Sequence, residues 1–141
     1  MSDQHTPKIL LIDDDVDLIQ MYTPVLEQAG FAVRYAHSSV EGLELFKTFL
    51  PDIAVVDLSM EHFDSGFVLC HKIRALPEGD HAFITILTSA GHDTGFRFTT
   101  QTKEEQGWIR ADDYLEKPIS AVDLLHYLNE KVKKTHGNSA G

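Results

Sequence analysis

Short apolar runs in this chain end in residues that are equipped for phosphate and metal chemistry. These residues are, in chain order, Asp13 and Asp14, Asp57, Thr88 and Lys117. If the ends of the runs converge, three carboxylates, one hydroxyl and one ammonium group share one site. Three close carboxylates repel one another, so at neutral pH some of them must take up protons or bind a cation.

A hard divalent cation fits such a set of ligands. Mg²⁺ prefers oxygen ligands and commonly uses one to three carboxylates, leaving positions for water and phosphate oxygens. An ionised aspartate can also attack a phosphoryl group and form an aspartyl phosphate. A neighbouring lysine would stabilise the negative charge of the group in transfer. The residue types therefore predict metal-assisted phosphoryl transfer.

Each residue taken alone has an ordinary structural explanation. The run from Asp13 to Asp15 is also typical of a helix N-terminus, where carboxylates are favoured. Asp57 alone is compatible with a turn, and Thr88 with a hydroxyl that bonds to backbone. The chemical interpretation therefore depends on the elements that bring these residues together.

Hydrophobic periodicity predicts strands that alternate with helices. The predicted strands are Lys8–Ile12, Phe31–Ala36, Ile53–Val56, Phe83–Leu87 and Tyr114–Leu115. The predicted helices are Val16–Ala29, a segment capped by Ser38 and ended by Pro51, Phe67–Leu76, and a segment capped by Ser120 that reaches Val132. Residues 91–112 show no sustained helical stripe and are predicted to form a long loop with at most one helical turn.

This alternation predicts an α/β fold with a parallel sheet, right-handed crossovers and helices on both faces. In open parallel sheets, ligands bind at the carboxyl ends of the strands. Those ends are where Asp13, Asp57, Thr88 and Lys117 are expected to lie.

Composition limits the classes of function. The chain has 141 residues, of which 43% are hydrophobic, and its 22 acidic against 12 basic residues give a net charge of −10. This fits one globular domain, and the negative charge disfavours binding to nucleic acid or to anionic membrane surfaces. We expect a cytoplasmic protein because there is no run of about 20 apolar residues and no signal peptide. The single cysteine, Cys70, is expected in the core.

Four motifs together resemble the receiver domain of two-component response regulators. They are ILLIDDD at 9–15, IAVVDLSM at 53–60, ITILTS at 84–89 and DDYLEKP at 112–118. The resemblance covers residues 8–134 and implies a doubly wound, flavodoxin-like sheet of five parallel strands in the order 2-1-3-4-5. Tails at 1–7 and 135–141 would leave no room for an output domain, so we expect a stand-alone receiver.

The resemblance also implies a role for each site residue. Asp57 would accept a phosphoryl group from a histidine kinase or a phosphotransfer protein, and Lys117, after which a cis peptide bond to Pro118 is expected, would contact the phosphate. Thr88 and Tyr114 would form the switch. Mg²⁺, with Mn²⁺ as the alternative ion, would be held by Asp13, Asp14, Asp57 and the backbone carbonyl of Ser59. Such a chain is a signalling phosphoacceptor and catalyses only its own phosphorylation and dephosphorylation.

The sequence departs from the family pattern at several places. Glu61 stands where the family usually has proline, and Gly66 comes one residue late, after Ser65. The 29 residues from Thr88 to Lys117 exceed the family norm, so the helix between the fourth and fifth strands is expected to be shortened or remodelled. That change puts the family's usual dimer face in doubt, and we expect a monomer or weak dimer. Output is expected through a protein partner with a neutral or basic face, without direct contact to nucleic acid or membrane.

Other functions remain open at the level of the sequence. In a haloacid-dehalogenase-like phosphohydrolase, Asp13 would be the nucleophile and Asp15 the acid/base, but Asp17 stands where such enzymes have threonine or valine. A flavodoxin-like electron carrier would need a phosphate loop where the three aspartates stand. A receiver-like module that binds its partner without phosphorylation is the non-catalytic alternative.

Overall fold

The computed structural model describes residues 6–57, 65–77, 82–88 and 111–133. The strands are β1 (Lys8–Ile12), β2 (Ala32–Ala36), β3 (Ile53–Asp57), β4 (Phe83–Thr88) and β5 (Asp113–Glu116). The helices are α1 (Val16–Gln28), α2 (Ser39–Phe49), α3 (Ser65–Arg74) and α4 (Ala121–Val132). None of the helices in these ranges is long and apolar enough to cross a bilayer.

The five strands form one parallel sheet in the order β2-β1-β3-β4-β5. The order predicted from the resemblance is therefore confirmed. The strands β1, β3 and β4 are central, whereas β2 and β5 lie at the edges. The reversal of strand order next to β1 places a crevice at the carboxyl ends of β1 and β3.

The sheet is covered on both faces, which explains why its central strands are continuously apolar. Leu10 and Ile12 of β1 belong to the core with α2 and α3, while Ile9 and Leu11 belong to the core with α1 and α4. All four side chains are at most 2% exposed. Cys70 is fully buried in the first of these cores, as expected.

Side-chain caps fix where two of the helices begin. The Ser38 hydroxyl accepts a hydrogen bond from the Glu41 amide at 3.2 Å, and the Ser120 hydroxyl accepts one from the Asp123 amide at 3.0 Å. Each bond satisfies an amide in the first turn that has no partner within the helix. Both caps were predicted from the spacing of these residues.

Several predicted boundaries differ from the structure: α1, β2, β3 and β4 each differ by one residue at one end, whereas α3 and β5 differ at both ends. Helix α3 begins at Ser65 rather than Phe67 and ends at Arg74 rather than Leu76. Its end is tightened by a hydrogen bond from the Leu76 amide to the Ile73 carbonyl, and Pro77 disfavours a helical residue before it. Strand β5 is one residue longer at each end than Tyr114–Leu115.

Several predictions fall outside the described residues. These are the conformation around Ser59 and Glu61, the long loop apart from Ala111 and Asp112, and the shortened fourth crossover helix. They stay predictions, as do the roles of both tails.

Asp112 anchors the start of β5 to its neighbours. One oxygen of its carboxylate accepts hydrogen bonds from the Arg74 guanidinium and, at 2.8 Å, from the Ile84 amide. The Asp112 amide in turn donates to the Ile84 carbonyl at 2.8 Å. These bonds help to set the register of β5, which within residues 6–57, 65–77, 82–88 and 111–133 is paired on one side.

Close packing between α2 and β1 makes Gly42 sensitive to substitution. A Cβ at this position would lie 2.7 Å from Cδ1 of Ile12, which is fully buried. We predict that Gly42→Ala lowers the free energy of unfolding by about 1–2 kcal/mol, because overpacking outweighs the better helix propensity of alanine. Urea denaturation followed by circular dichroism measures this change.

The variant Ile12→Val removes the nearest atom and provides the control. In the Gly42→Ala/Ile12→Val double variant, we expect a smaller loss than the sum of the two single losses. A stabilising effect of Gly42→Ala alone would show that the backbone of α2 moves freely away from β1.

Candidate functional site

The predicted site residues meet at the carboxyl end of the sheet. Asp13 comes directly after Ile12, which is paired with Val56, so Asp13 lies beside Asp57. Lys117 comes directly after β5. The fold thus brings residues from the centre and from the edge of the sheet to one place.

The ammonium group of Lys117 bridges two of the carboxylates. Its Nζ lies 3.1 Å from Oδ1 of Asp57 and 3.3 Å from Oδ2 of Asp13. Asp13 and Asp57 are each only 4% exposed, whereas Asp14 is exposed. Carboxylate oxygens of the three aspartates lie within 4.8 Å of one another.

The three aspartates at 13–15 have different surroundings. The Asp13 amide donates to the Ala36 carbonyl, and Oδ1 of Asp13 accepts a hydrogen bond from the Asp15 amide at 2.9 Å. Asp15 is the N-cap of α1, and its Oδ1 accepts from the Leu18 amide at 3.2 Å. The helix-cap interpretation of this run is confirmed for Asp15, while carboxylate oxygens of Asp13 and Asp14 lie within 4.8 Å of one of Asp57.

Burial and charge give the site unusual electrostatics. Burial raises the pKa of Asp57 to about 6, the negative charge of Asp13 acts in the same direction, and Lys117 opposes both. Burial alone would lower the pKa of Lys117, but the charges of Asp57 and Asp13 outweigh it and hold this pKa above its usual range. One lysine is thus insufficient to compensate for the carboxylates around it.

The donor set fits a small hard cation. Oδ2 of Asp13 is buried, and the ion pair with Lys117 is its polar contact among the described residues. A divalent ion between Asp13, Asp14 and Asp57 would relieve both the repulsion and the desolvation of these oxygens. All three ligands are oxygen atoms, as Mg²⁺ requires, and neither histidine nor cysteine takes part. Ser59, the fourth predicted ligand, lies outside the described residues.

Of the two predicted switch residues, Thr88 lies next to the cluster, whereas Tyr114 lies against the core. Thr88 is the last residue of β4 and is 4% exposed, and its carbonyl accepts a hydrogen bond from the Lys117 amide at 2.7 Å. Tyr114 packs against the core formed with α2 and α3, and burial raises the pKa of its buried hydroxyl to about 12. The peptide bond between Lys117 and Pro118 is cis, as expected.

Two tyrosine hydroxyls that bond to the segment from Asp113 to Ile119 were missed in the sequence. The Tyr22 hydroxyl donates to the Ile119 carbonyl at 2.8 Å, and the Tyr127 hydroxyl donates to Oδ2 of Asp113 at 2.6 Å. In the sequence, Tyr22 is one member of an apolar stripe with Ile19 and Leu26. The one available signal was the choice of tyrosine at positions where phenylalanine would pack equally well.

Comparison with known proteins agrees with this geometry. The family model described as the response regulator receiver domain matches residues 9–129. The DNA-binding dual master transcriptional regulator RpaA of Synechocystis is 30% identical over 129 residues, which are 92% of this chain and 50% of that protein. The response regulator MprA of Mycobacterium bovis is 30% identical over 141 residues, 94% of this chain and 54% of that protein. The chain thus spans about half the length of these curated relatives.

Solved structures of similar length share the fold. The receiver domain of the Francisella response regulator 1452 is 29% identical with a TM-score of 0.73, and the match covers 92% of this chain and 99% of that one. The chemotaxis response regulator CheY4 of Vibrio cholerae is 25% identical with a TM-score of 0.74, covering 89% and 98% of the two chains. Sheet order, acidic cluster and family match agree, and the chain belongs to the receiver domain family of two-component response regulators.

Proposed function

We propose that Asp57 accepts a phosphoryl group from a histidine kinase or a phosphotransfer protein. The observation that carries this proposal is the bridge formed by Lys117 between the buried side chains of Asp57 and Asp13 at the carboxyl end of the sheet. It supports the proposal because the proposed nucleophile, a positive charge and the proposed metal ligands would then lie within reach of one phosphoryl group.

In the proposed step, one carboxylate oxygen of Asp57 attacks the phosphorus atom of the donor. A new O–P bond forms as the P–N bond of a phosphohistidine, or the P–O bond of an acyl phosphate, breaks, and its electron pair leaves with the donor. Lys117 remains protonated because its pKa is raised, and it stabilises the negative charge on the phosphoryl oxygens. The chain acts on itself in this step, and we propose that it also hydrolyses its own aspartyl phosphate.

We propose that Asp13, Asp14 and Asp57 hold Mg²⁺, with Mn²⁺ as a possible substitute and the Ser59 carbonyl as a further ligand. When bound, the ion would neutralise charge on the carboxylates and on the transferred group. The Asp13 carboxylate is oriented for this role, because its Oδ1 accepts a hydrogen bond from the Asp15 amide while its Oδ2 faces Lys117.

We propose that Thr88 and Tyr114 pass the change at Asp57 to the surface. Thr88 connects the site around Asp57 to β5. Its carbonyl accepts a hydrogen bond from the Lys117 amide, and its strand, β4, is paired with β5, which carries Tyr114. A phosphoryl group on Asp57 would offer new acceptors to the Thr88 hydroxyl, and the space vacated by this side chain would become available to Tyr114.

The proposed partners are a phosphodonor and a downstream protein that presents a neutral or basic face. The net charge of −10 supports this surface complementarity and disfavours direct contact of this domain with nucleic acid or membrane. RpaA is named as a DNA-binding protein, and the region matched here covers 50% of its length. We further propose that residues 8–134 form the receiver, that it is a monomer or weak dimer, and that it acts in the cytoplasm.

Phosphorylation by a small donor tests the nucleophile. We predict that acetyl phosphate with Mg²⁺ labels the protein once, at Asp57, because Oδ1 of Asp57 makes the shorter of the two Lys117 contacts and Oδ1 of Asp13 is already engaged by the Asp15 amide. Borohydride trapping followed by peptide mass spectrometry locates the label. Asp57→Asn should remove the labelling, whereas Asp17→Asn, which changes an exposed carboxylate on α1, should keep it.

The position of the label decides between the alternatives. A label on Asp13 would favour the phosphohydrolase, in which that residue is the nucleophile. No label with any acyl phosphate or phosphohistidine donor would favour a receiver-like module that works without phosphorylation.

The raised pKa of Asp57 makes a prediction about stability and pH. Because the pKa rises from 3.8 to about 6 on folding, ionised Asp57 disfavours the metal-free folded state as the pH rises through 6. We predict that Asp57→Asn stabilises the metal-free protein by about 2 kcal/mol at pH 7.5 and that this gain disappears as the pH falls to 4. Urea denaturation at a series of pH values measures the gain.

In the presence of Mg²⁺, the wild type should become more stable than Asp57→Asn. The ion stabilises the wild type in proportion to its affinity, and it should stabilise Asp57→Asn far less because a ligand has been lost. Glu130→Gln, which removes an exposed charge on α4, is the matched control and should show neither effect. A gain for Asp57→Asn that stays constant between pH 4 and 7.5 would contradict the assigned electrostatics.

A further inference from the structure

Lys117 belongs to a segment with limited backbone support. Among the strands that the structure describes, β5 lies at the edge of the sheet and pairs with β4 alone. Beyond its last paired residue, Glu116, the Lys117 amide bonds to the Thr88 carbonyl. The lysine side chain must nevertheless lie within about 3 Å of Asp57 to act on a phosphoryl group.

A buried tyrosine holds this segment on the carboxyl side of Lys117. Tyr22 is 2% exposed in α1, and its hydroxyl donates to the Ile119 carbonyl at 2.8 Å, two residues after Lys117. This bond crosses from α1 to the loop that enters α4. The bond therefore holds this loop against α1, the helix that begins three residues after Asp13.

A second tyrosine holds the segment on the amino side. The Tyr127 hydroxyl lies between Oγ1 of Thr85, at 2.9 Å, and Oδ2 of Asp113, at 2.6 Å. Thr85 is fully buried and is paired in register with Asp113, so the hydroxyl joins facing residues of β4 and β5. Lys131 adds an ion pair to the same carboxylate at 3.6 Å. Asp113 is the first residue of β5 and precedes Lys117 by four residues.

We propose that Tyr22 and Tyr127 are positioning residues for Lys117, fixing the segment from Asp113 to Ile119 at both ends so that the ammonium group stays against Asp57 and Asp13. The proposal deepens the proposed function, on which it rests. Both rings lie where phenylalanine would bury the same apolar surface, so each hydroxyl is explained by the bond that it makes.

A double-mutant cycle with Lys117 separates positioning from general support of the fold. The rates of Asp57 phosphorylation by acetyl phosphate in saturating Mg²⁺ are measured for wild type, Tyr22→Phe, Lys117→Ala and the double variant. The same cycle is measured with Tyr127→Phe. If the hydroxyls act through Lys117, each Phe variant should be about tenfold slower than wild type, the equivalent of one lost hydrogen bond. In the Lys117→Ala background, the effect should shrink to less than about twofold.

Equal losses in both backgrounds would overturn the proposal, because the tyrosines would then act independently of Lys117. An unchanged rate in both single variants would also overturn it. Tyr35→Phe, which removes a hydroxyl from a half-exposed tyrosine of β2, is the matched chemical control. Ile73→Val in α3 provides a comparable loss of stability away from this segment. Both controls should keep the wild-type rate.

A spectroscopic readout separates this proposal from the proposed function. The side-chain resonance of Lys117 Cε, assigned with Lys117→Ala, should shift in Tyr22→Phe and Tyr127→Phe and stay unchanged in Ile73→Val. If the wild type is not phosphorylated but these shifts occur, the proposed function fails while the positioning role stands. Unchanged Lys117 resonances in both Phe variants would refute the positioning role whether or not Asp57 is phosphorylated.

Discussion

The repulsion between Asp13 and Asp57 is the constraint on which the site depends. Parallel pairing of β1 with β3 forces these two carboxylates together at adjacent strand ends, and both are almost completely buried. Isolated burial of like charges is unfavourable, so the fold must supply a positive charge. Lys117 supplies it within the protein, and its raised pKa reflects how strongly it is held.

This compensation couples the centre of the sheet to its edge. The acidic residues follow central strands that are covered by helices on both faces, whereas Lys117 follows β5, the edge strand. Any change of charge at Asp57 therefore alters its attraction to Lys117. The backbone of Lys117 follows an edge strand, which the described sheet holds on one side, whereas the central strands are held on both. A phosphoryl group would add negative charge near Lys117 and a new acceptor near Thr88, which is bonded to Lys117 through its carbonyl.

The convergence of Asp13, Asp57 and Lys117 could be predicted from the sequence because its signals are local. Apolar runs that stop at Asp13, Asp57 and Thr88 mark buried strands, and parallel strands bring their ends together. Residue type alone did not distinguish Asp15 from its two predecessors, since both a helix cap and a metal ligand favour a carboxylate; only the family resemblance assigned Asp13 and Asp14 to the metal site. The hydrogen bonds of the tyrosine hydroxyls could not be predicted from the sequence either. The Tyr22 hydroxyl donates to a backbone carbonyl 97 residues away, and the residue type does not identify such a partner. Strand order came from the family resemblance, because alternation alone fixes only the parallel pairing.

The most direct test of this account is a titration of Asp57 in the metal-free protein. Carbon-13 NMR of its side-chain carboxyl, assigned by comparison with Asp57→Asn, should give a pKa of about 6 in the wild type. In Lys117→Met the pKa should rise further, because burial and the charge of Asp13 would then act without opposition. A pKa near 3.8 in the wild type that stays unchanged in Lys117→Met would contradict the account, since it would mean that the carboxylates neither repel each other nor depend on the lysine.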